Sequence, residues 1–328
     1  SDVCSSDLET AVTTDAVALA GAVGAGRLVE AGKRSAISEG DHLRALAALS
    51  VAGLRATSND TAALVWPELR AAGTTAHRFF AAYDTELEAM EAAIAACERI
   101  TLLVDLIEPF AGIEKVIALK KRHRAKGTAI FMRLDSGDLA AQACRALSRL
   151  REEGMTDPAR DRISIADVSS PEDLERIDAA IRAIGIEPRD VVDYVTGQLL
   201  VMQDKTRNAL SAAYKLTETG GRPTGKLAGG SGKMAIPGRL NVERRDAERV
   251  VVLEEEPVAG RRLLLPVYEN GRFTFAVDDA GARAAAAAVL AETFPLRLLP
   301  ARKSVRVEAA VRDVESRFLA QVVAPPIP

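Results

Sequence analysis

The sequence predicts an irregular β/α barrel followed by a smaller second α+β domain, and three observations lead there. First, four short apolar runs, at residues 101–105, 129–133, 162–167 and 191–195, alternate with amphipathic segments of helical period. Such steps build a parallel sheet with right-handed crossovers. Second, the runs end in polar groups: Asp105, Asp135, Asp167 and Gly197 all fall at carboxyl ends. Barrel enzymes place their chemistry there, and core packing gives no reason for it. Third, the character changes after residue 210, where glycine-rich loop and short β-like runs take over. Spread over this length, the steps favour a closed barrel over an open sheet, without settling closure.

The bulk numbers narrow the class. The chain has 328 residues, 48% of them hydrophobic, enough for one large core or two domains. A net charge of −3 leaves no nucleic-acid or membrane-surface footprint, so anionic ligands need local arginines and lysines. Cys4, Cys97 and Cys144 are widely spaced with no CxxC pair, which fits a reducing, cytoplasmic setting and excludes a cysteine zinc site. No apolar run reaches membrane-spanning length and no signal-peptide pattern is present. Residues 1–8, Ser-Asp-Val-Cys-Ser-Ser-Asp-Leu, look foreign to the rest and read as a translated adapter, leaving the native N-terminus in question.

In chain order, residues 8–31 read as helix. Gly21, Gly24 and Gly26 lack GxGxxG spacing, so no dinucleotide loop is assigned. Gly32-Lys33-Arg34-Ser35 is a tight cationic turn, and 42–53 is an amphipathic helix. Two polar breaks, 55–60 and 73–78, precede an acidic helix at 84–97. Helices at 113–124, 138–153 and 171–184 alternate with the four strands; the last carries Pro171 in its first turn. Short strands are expected at 213–216, 250–253, 263–267 and 273–277, a loop at 220–238, helices at 279–292 and 304–321, and a disordered tail at 324–328. The barrel core is thus assigned to 9–218 and the second domain to 219–328.

The richest stretch is Ile130 to Leu139, where an apolar strand breaks into Arg133-Leu134-Asp135-Ser136-Gly137-Asp138. Arg133 can bind an anion and Asp135 can accept sugar hydroxyls. The plainer reading is a turn with Asp138 or Ser136 capping the next helix. Gly229-Gly230-Ser231-Gly232-Lys233-Met234 suggests a phosphate loop but fails the P-loop pattern, with Leu227 in place of glycine and Met234 in place of Ser or Thr. Its lysines, Lys226 and Lys233, can still close over a phosphate or pair with acidic side chains. None of His42, His77 and His123 has metal-ligand spacing to another His or Cys. No strand-end lysine supports a Schiff-base aldolase.

Taken in order, Gly32-Lys33-Arg34, Thr57-Ser58-Asn59, Gly73-Thr74-Thr75-Ala76-His77, Val104-Asp105, Arg133 to Asp138, Tyr214-Lys215-Leu216 and Ile236-Pro237-Gly238-Arg239 resemble the nicotinate phosphoribosyltransferase family over about residues 9–320. The resemblance implies a type II phosphoribosyltransferase-like barrel that joins nicotinate to phosphoribosyl pyrophosphate in NAD salvage, coupled to ATP. It implies that His77 is the histidine ATP phosphorylates, with Asp105 orienting it, and that Asp135 acts with it in catalysis. It implies that Arg34 contacts the pyridine or the 5-phosphate, and that Ser58 and Asn59 lie near the pyridine carboxylate. Arg133 and Asp135 would bracket ribose and pyrophosphate, Asp138 would assist through Mg²⁺, and Asp167 and Gly197 would lie in phosphate loops. No resident metal site is assigned. A cytoplasmic homodimer with a shared site is also implied. Departures are Ser35 in place of a second arginine, Ala166 and Val168 flanking Asp167 where glycines cradle phosphate, and an N-terminal segment with a stacking aromatic that is missing here. This chain is therefore expected to be weakly active or inactive. A nicotinamide- or quinolinate-type transferase and a non-catalytic nucleotide-binding barrel are the alternatives.

Overall fold

The computed structural model describes residues 2–36, 38–168, 170–197, 215–226, 235–266, 268–274 and 300–323. The chain divides into two compact units, one of Ser1–Lys215 with Lys226–Met234 and Phe318–Pro328, the other of Leu216–Gly225 with Ala235–Arg317.

In the first unit, seven parallel strands form one sheet: β1 (Leu28–Glu30), β2 (Ala56–Thr57), β3 (Arg70–Ala71), β4 (Arg99–Leu103), β5 (Ala129–Leu134), β6 (Ile163–Ala166) and β7 (Val192–Thr196). Their spatial order is β3-β2-β1-β7-β6-β5-β4. The two edges meet through the segment after β3: Ala72 N–H donates to Thr57 O at 2.8 Å, and Thr75 N–H donates to Thr101 O at 3.0 Å. That bridge is made by a loop, so the strands form a curled half-barrel and not the closed ring the sequence favoured. The four strands read from the sequence lie within two residues of their expected bounds. They could be read because a parallel strand covered on both faces is a continuous apolar run. Leu102, Leu103, Ile130, Met132, Leu134, Ile163, Ile165, Val192 and Tyr194 are buried there.

The helices are α1 (Asp2–Val23), α2 (Glu39–Val51), α3 (Asp60–Val65), α4 (His77–Phe80), α5 (Glu86–Ala96), α6 (Pro109–His123), α7 (Leu139–Glu152), α8 (Pro171–Ala183) and α9 (Pro188–Val191). Side chains fix where several begin. Ser38, Thr85, Glu108, Asp138 and Ser170 each accept a backbone N–H of the first turn, and Thr85 with Glu88 forms a reciprocal capping box. α6 ends in Lys120, Lys121, Arg122 and His123, favourable to the helix dipole. α1 packs between α2 and α8, as β1 pairs between β2 and β7.

The expected helix over 8–31 is shorter than its sequence suggested. It stops at Val23 because Gly24 takes φ 90°, and β1 follows. β1, β2 and β3 hold only three, two and two residues, too few for periodicity to reveal.

The second unit holds β8 (Glu218–Thr219), β9 (Arg222–Pro223), β10 (Leu240–Arg245), β11 (Glu248–Leu253), β12 (Arg261–Arg262), β13 (Tyr268–Glu269), β14 (Arg272–Phe273) and β15 (Ala301–Lys303). Its main sheet runs β12-β10-β11-β15. The helix α10 (Val305–Val323) closes the described chain. β11 contains the strand expected at 250–253. The loop expected over 220–238 instead contributes β9, paired with β8. The strand expected at 263–267 is displaced to β12. Beyond it the Asn241 side chain takes over the pairing, Nδ2 donating to Leu264 O at 3.0 Å and Oδ1 accepting Leu264 N–H at 3.2 Å. Lys215 and Leu216 are not in a strand. Residues 213–214, 267, 275–277, the helix expected at 279–292 and the tail at 324–328 lie outside the described residues.

Candidate active site

Thr75 positions the first functional side chain. Its N–H and Oγ1 both donate to Thr101 O, while Leu103 N–H donates to its Oγ1 at 3.3 Å. The loop is thereby sutured to β4, and α4 starts at His77 beside the carboxyl end of that strand. Asp105 stands two residues past β4 and is fully buried. His77 Nε2 is 2.9 Å from Asp105 Oδ1 and 3.9 Å from Asp135 Oδ2. Among the described residues, no hydrogen bond reaches His77 Nδ1.

The other oxygen of Asp105 is held as firmly. Ser136 Oγ donates to Oδ2 at 2.6 Å, and Lys226 Nζ donates to the same oxygen. Lys226 Nζ also lies 3.0 Å from His77 Nε2. Burial on its own would push the Asp105 carboxyl up. The hydrogen bond and charge of His77 and the ammonium of Lys226 outweigh it and hold the carboxyl well below the ordinary carboxylate range.

β5 supplies the next pair. Arg133 Nη2 donates to Asp135 Oδ1 and Nη1 to Thr74 Oγ1, both at 2.7 Å. The guanidinium is thus fixed as a planar cation between two loops, with its buried Nε–H left without a partner among the described residues. Thr74, His77, Asp105, Arg133, Asp135, Ser136 and Lys226 therefore form one connected cluster. Four of them are residues the sequence singles out for catalysis or binding: His77, Asp105, Arg133 and Asp135.

The remaining candidates have their own places. Register sets Glu30 of β1 level with Thr57 of β2 and Thr196 of β7. Glu30 is fully buried; His42 Nε2 lies 3.0 Å from its Oε1, Thr57 Oγ1 donates to its Oε2 at 2.6 Å, and Gly32 N–H donates to Oε1. Asn59, also fully buried, joins this network. Its amide donates to His42 Nδ1 and Glu39 Oε1, each at 2.9 Å, and its carbonyl accepts from Ala62 N–H and Lys33 Nζ. All its hydrogen-bonding capacity is used inside the protein. Ser58 is half-buried, with its N–H on Glu30 O. Arg34 is exposed in the short turn Lys33–Ser35.

Asp138 is exposed and caps α7 by accepting Ala141 N–H at 3.0 Å. Asp167 is exposed at φ 61°, a left-handed conformation that marks a sharp turn after β6. Gly197 follows β7, where a Cβ would stand 2.5 Å from the Ala31 carbonyl. Close approach of two loop backbones requires glycine there. Thr196 Oγ1, beside it, is buried without a partner among the described residues. These groups belong to the same rim of strand ends as the His77 cluster.

Sequence reasoning missed the chain in which His42 links Asn59 to Glu30, because β1 itself was invisible. It read Lys226 as one of two loop lysines able to close over a phosphate or pair with acidic side chains; the structure shows the second, without the sequence having named Asp105 as the acid.

His77, Asp105 and Asp135 offer three donor atoms within 4.8 Å of one another. The set does not suit a resident magnesium ion, which takes oxygen ligands in octahedral order. One donor is an imidazole, and the Lys226 ammonium already supplies the positive charge.

No protein-family profile matches the chain. Over 229 residues it is 35% identical to nicotinate phosphoribosyltransferase pncB2 of Mycobacterium tuberculosis, covering 68% of this chain and 46% of that protein. Over 241 residues it is 28% identical to nicotinate phosphoribosyltransferase of Bacillus subtilis, covering 72% and 47%. The chain thus spans about half the length of the curated relatives it matches. Its fold is similar to the crystal structure of nicotinate phosphoribosyltransferase from Porphyromonas gingivalis, with a TM-score of 0.52 at 20% identity over 70% of this chain and 60% of that one. Among the described residues, no helix is long and apolar enough to cross a membrane.

Proposed function

The chain belongs to the nicotinate phosphoribosyltransferase family, and from that premise we propose that it condenses nicotinate with phosphoribosyl pyrophosphate to nicotinate mononucleotide and pyrophosphate, coupled to ATP through a phosphohistidine at His77. The observation that carries this reading is the pairing of His77 with a buried carboxylate, 2.9 Å away, beside the Arg133–Asp135 pair. Asp105 accepts a hydrogen bond from Nε2–H and leaves the Nδ1 lone pair as the nucleophile. Nδ1 attacks the γ-phosphorus of ATP, the bond to the bridging oxygen breaks, and its electron pair leaves on ADP. Asp105 offsets the positive charge that the ring gains.

In the transfer itself the sugar passes through an oxocarbenium-like state. The Asp135 carboxylate stabilises that positive charge, the anchored guanidinium of Arg133 stabilises the departing pyrophosphate, and Arg34 contacts the pyridine or the 5-phosphate. Magnesium enters with the polyphosphate substrates as their counter-ion. Asp138, exposed after β5, is the carboxylate that would meet it. The same reading carries a cytoplasmic homodimer.

Two measurements test it. Incubation with γ-labelled ATP should give an acid-labile label on the wild-type chain and none on His77→Ala. Nicotinate with phosphoribosyl pyrophosphate should give nicotinate mononucleotide. Because this chain is expected to be weakly active or inactive in the full reaction, product well below a full-length relative's rate is consistent with the assignment, and complete absence of label under saturating ATP would overturn it.

A further inference from the structure

A ring nitrogen has a single in-plane direction for a hydrogen bond, and His77 Nε2 has two claimants for it. Asp105 Oδ1, an acceptor, is 2.9 Å away, and Lys226 Nζ, a donor, is 3.0 Å away. The carboxylate requires a proton on Nε2; the ammonium requires a lone pair there. Both demands cannot be met by the same tautomer. Moreover Lys226 donates to Asp105 Oδ2, the oxygen Ser136 already engages, and lies 3.5 Å from Ser136 Oγ. With its charge met by an ammonium and a hydroxyl, the carboxylate exerts a weaker pull on the Nε2 proton.

We propose that Lys226 is a positioning residue that sets the tautomer of His77. With the ammonium docked on Asp105, Nε2 carries the lone pair in a substantial share of molecules and the proton sits on Nδ1. A polyphosphate anion draws the ammonium away, Asp105 recovers Nε2–H, and the lone pair moves to Nδ1. No atom is gained or lost; one proton changes nitrogen through solvent. The inference rests on the phosphohistidine reading for its purpose. That reading makes Nδ1 the atom attacked by phosphorus, so an anionic polyphosphate would arm the nucleophile it is to meet.

The chain has three histidines, so ¹⁵N-histidine labelling and the His77→Ala variant assign the His77 ring directly. In the ligand-free wild type, Nε2 should show pyridine-like character that falls on titration with inorganic pyrophosphate, as Nδ1 gains it. In Lys226→Met the ring should be Nε2-protonated from the start and insensitive to pyrophosphate, while Lys226→Arg keeps the wild-type response. The wild-type titration needs no substitution, so misfolding of a variant does not decide the matter. Identical ring spectra in wild type and Lys226→Met, or an equal response of both to pyrophosphate, overturns the proposal. Tautomer control without any acid-labile label overturns the functional reading and leaves this one standing; label with an unmoved tautomer does the reverse.

Discussion

His77 and Asp105 are 28 positions apart in sequence, yet the imidazole Nε2 and the carboxylate Oδ1 stand 2.9 Å apart at the end of one strand. Thr75 makes the pairing, because both its donors end on Thr101 O and draw the loop onto β4. Asp105→Asn removes the charge that compensates a phosphorylated ring while keeping the shape. Phosphorylation of His77 and ATP-coupled turnover should fall on the order of 10²–10⁴-fold, the usual worth of a positioned proton-transfer group. Uncoupled binding of ATP should change far less, which equilibrium titration would show.

The same carboxylate ties stability to pH. Its folded-state pKa is depressed below that of the unfolded chain, so its contribution is complete above about pH 4 and is lost as the medium becomes more acidic. Acid unfolding of Asp105→Asn should therefore show a weaker pH dependence below that point than wild type. An unchanged slope in denaturant titrations between pH 2 and about pH 5 would count against the ion cluster.

A second relationship fixes where Asp105 sits. A Cβ at Gly112 would stand 2.1 Å from the Val104 carbonyl oxygen, so α6 packs its backbone directly on the residue before Asp105. Gly112→Ala must push helix and strand end apart. We expect a loss of about 3 kcal/mol by denaturant unfolding, at the upper end for an overpacked core. The phosphohistidine yield should fall as well, because the carboxylate moves with its neighbour.

Beside β7 and α8, Arg27 donates twice to Asp178, at 2.7 and 2.8 Å, and Tyr194 donates to the same carboxylate at 2.7 Å. Burial raises the Asp178 carboxyl and these partners more than reverse it, so it lies low; burial and the neighbouring carboxylate push the Tyr194 phenol up. Arg27→Met leaves the buried carboxylate only Tyr194 and the more exposed Arg182, 3.6 Å away, and should cost about 3 kcal/mol. Because Asp178 is depressed, the wild-type contribution is present above about pH 4 and disappears in acid. Melting temperatures of wild type and variant should converge there.

These relationships differ in how far the sequence betrayed them. Asp105 and Asp135 follow strands of five and six residues whose apolar runs are long enough to read, and the cluster they form with His77 and Arg133 was expected. Glu30 ends a strand of three residues and resembles the helical stretch before it. Its network with Thr57, His42 and Asn59 depends on register between short strands, which local pattern does not carry. Lys226 contacts Asp105 across 121 positions, and nothing in a glycine-rich loop names the acid its lysine will meet. The Gly112 approach is likewise a fact of packing, since a glycine inside a helix has no unique meaning in sequence.

Asn59 gives the sharpest test of where a resemblance stops and the structure begins. The family likeness puts its amide near the pyridine carboxylate, and on that view Asn59→Asp should shift preference from nicotinate toward nicotinamide. Yet the side chain is fully buried, and both its N–H groups are used, on His42 Nδ1 and Glu39 Oε1. An aspartate there would set a carboxylate against Glu39, close to the buried Glu30, with no proton for the His42 nitrogen. One carboxylate oxygen would keep Lys33 Nζ and Ala62 N–H, but the other would face Glu39 and His42 without a donor, so the variant should lose about 1–3 kcal/mol of stability. Melting and base preference must therefore be measured together. A stable variant with switched preference would place the amide in the binding pocket. A destabilised variant whose residual activity keeps the wild-type ratio of nicotinate to nicotinamide would make Asn59 the strut that fixes Lys33 and the Gly32 turn to the strand ends.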